Sequence, residues 1–363
     1  MSAIGTRFLR DVDHGGRHGQ PAVVAAALGE FVDRATASVH MAIYDFRLGP
    51  ALAEPVVTAL VAAAARGVDV RIAFDRGKPV AQTTLAFAGV GGDPAPQGTG
   101  DWLHEHFDGT PVALGPVDPG GQIMHHKYVI RDGARSTASV WTGSANFTDD
   151  AWTHQENNII TIAAPTVAAG FERDFDQLWT TRVLPGTGLG DSGQAAVGHG
   201  SVGWMFAPGE GQAIDQHLAA LVTGARSRVR VASMVLTSHA ILRALADAVG
   251  RGVAVSGVYD AGQMDPIVAQ WRASAHGGAT ADLFETVAAH LSRKHSAPYT
   301  PTSLHNFLHD KVLVLDDTTV ATGSFNLSAN ATRNAENSLV ITDHAVAHHY
   351  ATAIDTLTTT YKK

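Results

Sequence analysis

The sequence predicts an α/β protein built from two similar halves. Three observations carry that prediction: a long-period internal repeat, a strand, helix, strand succession opening each half, and a Gly/Ser-rich stretch between them. With 363 residues, 45% of them hydrophobic and 17% charged, the chain is long for one core and has the composition of a folded protein.

The halves open alike. SVHMAIYDF, TALVAAAARG and VDVRIAFDRG are echoed by SRVRVASMVL, ILRALADAVGRG and VAVSGVYDAG. In each trio β-branched runs flank an Ala/Leu-rich helix that stops at glycine, which reads as a βαβ unit. The halves also close alike. Phe171, Phe175 and Trp179 in the first, and Tyr350, Ile354 and Leu357 in the second, recur at helical spacing. LPGTGLGDSGQAAVGHG lacks apolar periodicity, so the expected boundaries are a first domain at 1–185, a linker at 186–200 and a second domain at 201–363.

The composition narrows the function classes. There are no cysteines, so disulfides, thiolate nucleophiles and Cys-based zinc sites are excluded. A net charge of −8 does not advertise a polyanionic partner. The opening MSAIGTRFLRDVDHGG lacks the apolar core of a signal peptide, and the apolar runs are far shorter than the roughly 18 residues of a membrane span. A cytoplasmic protein without a transmembrane segment is expected, or a secreted one if a leader has been removed.

The repeat carries the chemistry. HHKYVIRD, then WTGSANFTDDAWTHQENNIITI, is matched by LHDKVLVLDDTTVATGSFNLSANATRNAENSLVIT. His125, Lys127 and Asp132 match His309, Lys311 and Asp316 at an offset of 184; Gly143, Ser144, Asn146 and Glu156 match Gly323, Ser324, Asn326 and Glu336 at 180. A longer hairpin loop, GARSTAS, accounts for the difference. In a strand, residues i and i+2 share a face, so each His points with its Lys, while His126 points the other way. An imidazole serves as nucleophile or general acid near neutral pH, and an ammonium beside it holds an anion's oxygens, so the target is expected to be anionic. Gly-Ser-x-Asn adds a close backbone approach and an amide donor. Glu156 and Glu336 supply carboxylates able to orient a histidine through its second ring nitrogen. An isolated His-x-Lys is ordinarily solvated surface, but one His-x-Lys-x4-Asp match is expected by chance only on the order of a few hundredths of a time. Two, each trailed by the same residues, are specific.

This pattern resembles the phospholipase D superfamily, whose members carry paired HxKxxxxD motifs followed by GSxN, and the resemblance spans essentially the whole chain. It implies an α/β/α sandwich for each half, related by a pseudo-twofold axis so that both motifs share one active site, with no metal and no other cofactor. It also implies a two-step phosphodiester reaction through a covalent phosphohistidine. By analogy His125 attacks phosphorus and His309 is the acid and base. Lys127, Lys311, Asn146 and Asn326 grip the phosphate oxygens, and Glu156 and Glu336 orient the histidines. Asp132 and Asp316 brace the turns. Ser144 and Ser324 are divided evenly between backbone hydrogen bonding and phosphate contact.

Other clusters read as structural. WLHEHFD, with His104, Glu105, His106 and Asp108, is expected to be a loop feature rather than a metal site. Arg226, Arg228 and Arg230 are expected on a solvated edge rather than a nucleic-acid track. The substrate's organic arms would be read by the loops 77–124 and 262–308, which contain Trp102, Phe107, Trp271 and Tyr299. Phospholipid is placed slightly ahead of nucleic acid, although the second motif looks like the compact endonuclease branch of the superfamily. An inactive binding module of the same fold is the third reading. Because both motifs lie in one chain, a monomer with internal dimer-like symmetry is favoured.

Overall fold

Two mixed sheets, one per half, organise the computed structural model, which describes residues 3–77, 98–133, 135–300 and 303–362. Much of the first expected specificity loop, residues 78–97, lies outside the described residues. The first sheet has seven strands, in the order Ile4–Leu9, Asn157–Ile162, Ser139–Gly143, Lys127–Arg131, Ser38–Ile43, Asp69–Asp75, Ala113–Val117. The last three pair in parallel and the others antiparallel. The expected βαβ unit is there, with helix Pro50–Ala65 as the crossover.

The second sheet repeats this order as Gly200–Ala207, Glu336–Thr342, Thr319–Gly323, Lys311–Leu315, Arg228–Ser233, Ala254–Asp260, Ser292–Lys294, with Gly193–Val197 added outside Gly200–Ala207. That extra strand falls inside the stretch expected to be a plain linker; it pairs antiparallel across a tight turn. The expected solvated edge for the arginines is also corrected. Strand Arg228–Ser233 is internal, and Arg230 is buried, bonded to Asp317 and Asp355.

Side chains alternate across each sheet, and both faces are covered. On the outer face of the first, Val39, Met41 and Ile43 pack with Val24, Leu28, Val56 and Leu60 of helices Gln20–Asp33 and Pro50–Ala65. On its inner face Tyr128, Ile130, Val140 and Ile160 share one core with Phe171 and Phe175, and with Phe206, Val312, Leu339, Tyr350 and Ile354 of the second half. The two closing helices, Pro165–Thr181 and His344–Thr360, therefore sit between the sheets, and one continuous apolar core joins the halves. A third cluster, with Leu218, Leu242 and Leu245, covers the far face of the second sheet. No helix among the described residues is long and apolar enough to cross a membrane.

Candidate active site

Each motif strand begins where the two sheets meet. His125 N–H donates to Ala335 O at 2.8 Å, and His309 N–H donates to Glu156 O at 2.9 Å, so each motif is tied to the opposite half at its histidine. The imidazoles of His125 and His309 consequently face one another, ring centres 6.4 Å apart. Both are fully buried, as are Lys127 and Lys311. Each lysine ammonium donates to the carbonyl of its own motif histidine. Tyr44 packs edge-on against His125 at 5.0 Å, with Lys127 Nζ 5.0 Å from its ring; Met234 occupies the matching position in the second half.

The motif aspartates hold the strand ends. Asp132 accepts the backbone N–H groups of Thr36, Ala37 and Ser38, and Asp316 those of Arg226, Ser227 and Arg228. Each sits in the left-handed region, φ 55° and 49°. Burial pushes the Asp316 carboxyl up, but the three backbone donors together with the Ser227 hydroxyl outweigh it and bring it down to about 2. Asp132 is lowered by the same balance. A second matched pair escaped sequence reasoning. Asp75 accepts Met124 N–H at 2.7 Å and Asp260 accepts Leu308 N–H at 2.8 Å, fixing the residue before each catalytic-type histidine. The signal was present in the aligned stretches FDRG and YDAG.

Gly143 and Gly323 both have φ 138°, and a Cβ on either would collide with a carbonyl oxygen, of Asn158 and Asn337 respectively. Ser144 and Ser324 are fully buried. Ser144 accepts from Asn158 N–H at 3.0 Å and Ser324 from Asn337 N–H at 2.9 Å, so both hydroxyls are engaged in bracing the next strand. Asn146 and Asn326 differ: in each, the buried Oδ1 has no hydrogen-bond partner among the described residues.

These contacts correct the alignment of the glutamates. Gly143 lies opposite Ile159 and Gly323 opposite Ser338, so beyond the Gly-Ser turn the halves correspond at an offset of 179. Asn157, not Glu156, is the counterpart of Glu336. Glu336 Oε2 lies 2.8 Å from His125 Nδ1. Asn157 Oδ1 lies 3.0 Å from His309 Nδ1. A shift of one residue reverses the face of a strand side chain, and Glu156 points away to bond the Tyr361 hydroxyl, with Lys294 Nζ at 3.7 Å. Burial raises its carboxyl even though Lys294 and Tyr361 oppose that.

His126 is packed, as the strand alternation expects. It shares the inner face with Tyr128, sits 3.2 Å from Asp174, and meets the Asn337 amide at 3.3 Å. Burial pushes it well below the usual histidine range, with Lys127 and His125 adding to the effect. WLHEHFD is corrected from loop to helix, Thr99–Phe107, because Leu103 and Phe107 bury one face. There His104 bonds Asp108 and His106 bonds the Trp102 carbonyl. Of the loop aromatics, Trp102 stacks between Phe46 and His106, Phe107 is buried, Trp271 packs on Phe284, and Tyr299 stacks on His305. Among the described residues, Asp11, Asp13 and His154 bring ligand-type atoms within 4.8 Å, but Asp11 already takes the buried Lys294 ammonium at 3.0 Å.

Two facing histidines, each backed through Nδ1 by the opposite half and flanked by a lysine, form the centre of the candidate site. The family model for the cardiolipin synthase, PLD-like domain matches residues 28–179 and 218–358. The chain therefore belongs to the phospholipase D superfamily of phosphodiesterases. It is similar in fold to phosphatidylserine synthase of Haemophilus influenzae, at 13% identity and TM-score 0.66 over 97% of this chain and 86% of that one. It also resembles polyphosphate kinase of Porphyromonas gingivalis, at 12% identity and TM-score 0.59 over 97% and 46%. Nuc of Salmonella typhimurium, a phospholipase D family member, is 25% identical over 43% of this chain and 93% of its own, with TM-score 0.33. No curated protein sequence matches the chain.

Proposed function

We infer that the chain cleaves a phosphodiester in two steps through a phosphohistidine, with phospholipid as the favoured substrate. The observation that carries this is the facing pair His125 and His309 at 6.4 Å, room for one phosphorus between them. His125 Nε2 attacks phosphorus, the P–O bond to the leaving group breaks, and the departing oxygen takes a proton from His309 Nε2. Water or an alcohol then gives a proton back to His309 as its oxygen attacks phosphorus and the P–N bond breaks. The ring charge that builds on His125 is balanced by Glu336. Lys127, Lys311 and the amide N–H groups of Asn146 and Asn326 hold the non-bridging oxygens, which only accept hydrogen bonds.

Residues 1–185 and 201–363 act together, since each supplies one histidine and the group behind the other, and one chain suffices. Lipid is favoured over nucleic acid because Arg230, one residue of the candidate cationic track, is buried and bonded to Asp317 and Asp355 rather than offered to a phosphate backbone. The test is one panel in excess EDTA: phosphatidylcholine vesicles with and without a primary alcohol, single-stranded and duplex DNA, RNA, and bis(p-nitrophenyl) phosphate, each with His125→Ala and His309→Ala. Lipid turnover lost in both variants is expected. DNA cleavage without lipid turnover would reverse the substrate assignment, and inertness on every substrate would favour a binding module.

A further inference from the structure

We propose that Asn157 is the positioning residue of His309, and that an uncharged amide there, opposed to the Glu336 carboxylate on His125, divides the labour between the two histidines. The inference rests on the reaction proposed above and adds a residue to it.

The amide's orientation is determined by its neighbours. Asn157 Nδ2 donates to Ala151 O at 3.1 Å and to Gln155 Oε1 at 3.2 Å. A backbone carbonyl only accepts, so the nitrogen belongs on that side and Oδ1 faces His309. Oδ1 also accepts from the Ser144 hydroxyl at 2.7 Å. Facing an acceptor at 3.0 Å, His309 Nδ1 must carry its proton. Its Nε2 is thereby left to give and take the proton exchanged with substrate. Every hydrogen bond in this arrangement is made by fully buried groups except Gln155, which is nearly so.

The charge difference matters because the two histidines have opposite needs. A nucleophile becomes cationic as its bond to phosphorus forms, and a carboxylate behind it stabilises that state. A group that must lose its proton in one step and regain it in the next works best when neither form is strongly favoured. The groups around His309 are His125 across the site, Lys311 on its own strand, Asp310 beside it, and Glu156 behind, whose carboxylate is turned to Tyr361 and Lys294. On His309 Nδ1 the contact is the Asn157 amide oxygen at 3.0 Å, where Glu336 presents a carboxylate to His125.

Long-range 1H–15N spectra of protein labelled at histidine nitrogen test this without a variant: neutral His309 is expected as the Nδ1–H tautomer, and the Nε2–H tautomer would overturn the proposal. Asn157→Asp should move the His309 titration, and the alkaline limb of the pH–rate profile with bis(p-nitrophenyl) phosphate, upward by about one unit. Glu156→Gln should leave the His309 titration in place. An unmoved midpoint in Asn157→Asp, or a shift caused by Glu156→Gln instead, would sink it. Wild-type protein inert toward the diester, with the tautomer and titration as expected, would remove the proposed reaction and leave the positioning role standing.

Discussion

Glu336 Oε2 and His125 Nδ1 lie 2.8 Å apart although 211 residues separate them in the chain. Both side chains are wholly inaccessible to solvent. The contact spans the two halves, and so does its counterpart between Asn157 and His309. Neither half thus carries a complete site.

The Glu336 contact predicts a defect in chemistry rather than in binding. Glu336→Gln keeps the shape but removes the charge that balances the imidazolium, and kcat should fall by about 10²- to 10⁴-fold with little change in KM. Steady-state kinetics on whichever diester the panel identifies checks this. A loss below threefold would show that the carboxylate is a packing group.

Lys294 and Asp11 form a buried ion pair at 3.0 Å between the halves, each about 1% exposed. Lys294→Met leaves the Asp11 carboxylate buried without its partner and should cost about 3–5 kcal/mol in denaturant unfolding. The double variant Lys294→Met with Asp11→Asn should recover a large part of that loss. Equal stability of the single and double variants would mean the pair is not coupled.

Asp316 gives an acid-side prediction. Its carboxyl is held at about 2 against an ordinary 3.8. A value lowered on folding contributes stability that is present above pH 4 and disappears as pH falls toward 2. Asp316→Asn should lower stability at neutral pH and flatten the decline between pH 4 and 2, read by urea unfolding at a series of pH values. Asp132→Asn should act in the same direction.

Asp310 gives the opposite slope. Burial and repulsion from Glu156 lift it to about 6, despite the donors Asn158 and Ser144 and the charge on Lys311. A carboxyl raised on folding is most favourable protonated, so its contribution is full below pH 3.8 and lost as pH rises through 6. Asp310→Asn should match the wild type near pH 4 and exceed it in stability at pH 7. Asp191, raised to about 6 chiefly by burial, should leave a residual slope in the same window.

The parts of the site most legible in the sequence were those with local cause. The His-x-Lys spacing places both side chains at one strand face, the glycines permit an approach that a Cβ would block, and the aspartates close the turn that follows. The βαβ openings were legible for the same reason, from the alternation of apolar runs with a helix stopped at glycine. The arginine strand misled because the pairs that bury Arg230 come from Asp317 and Asp355, residues 87 and 125 positions away. The Trp102 segment misled because its helix is stabilised by packing onto Phe46, not by its own histidine-rich pattern.

The sequence by itself determined that two histidine–lysine motifs recur in two α/β halves, because strand periodicity and turn chemistry are written in neighbouring residues. Which group stands behind each histidine was decided only by the tertiary structure. Counting from the Gly-Ser turns equates Glu156 with Glu336, yet the sheet register equates Asn157 with it, and a single step along a strand exchanges one face for the other.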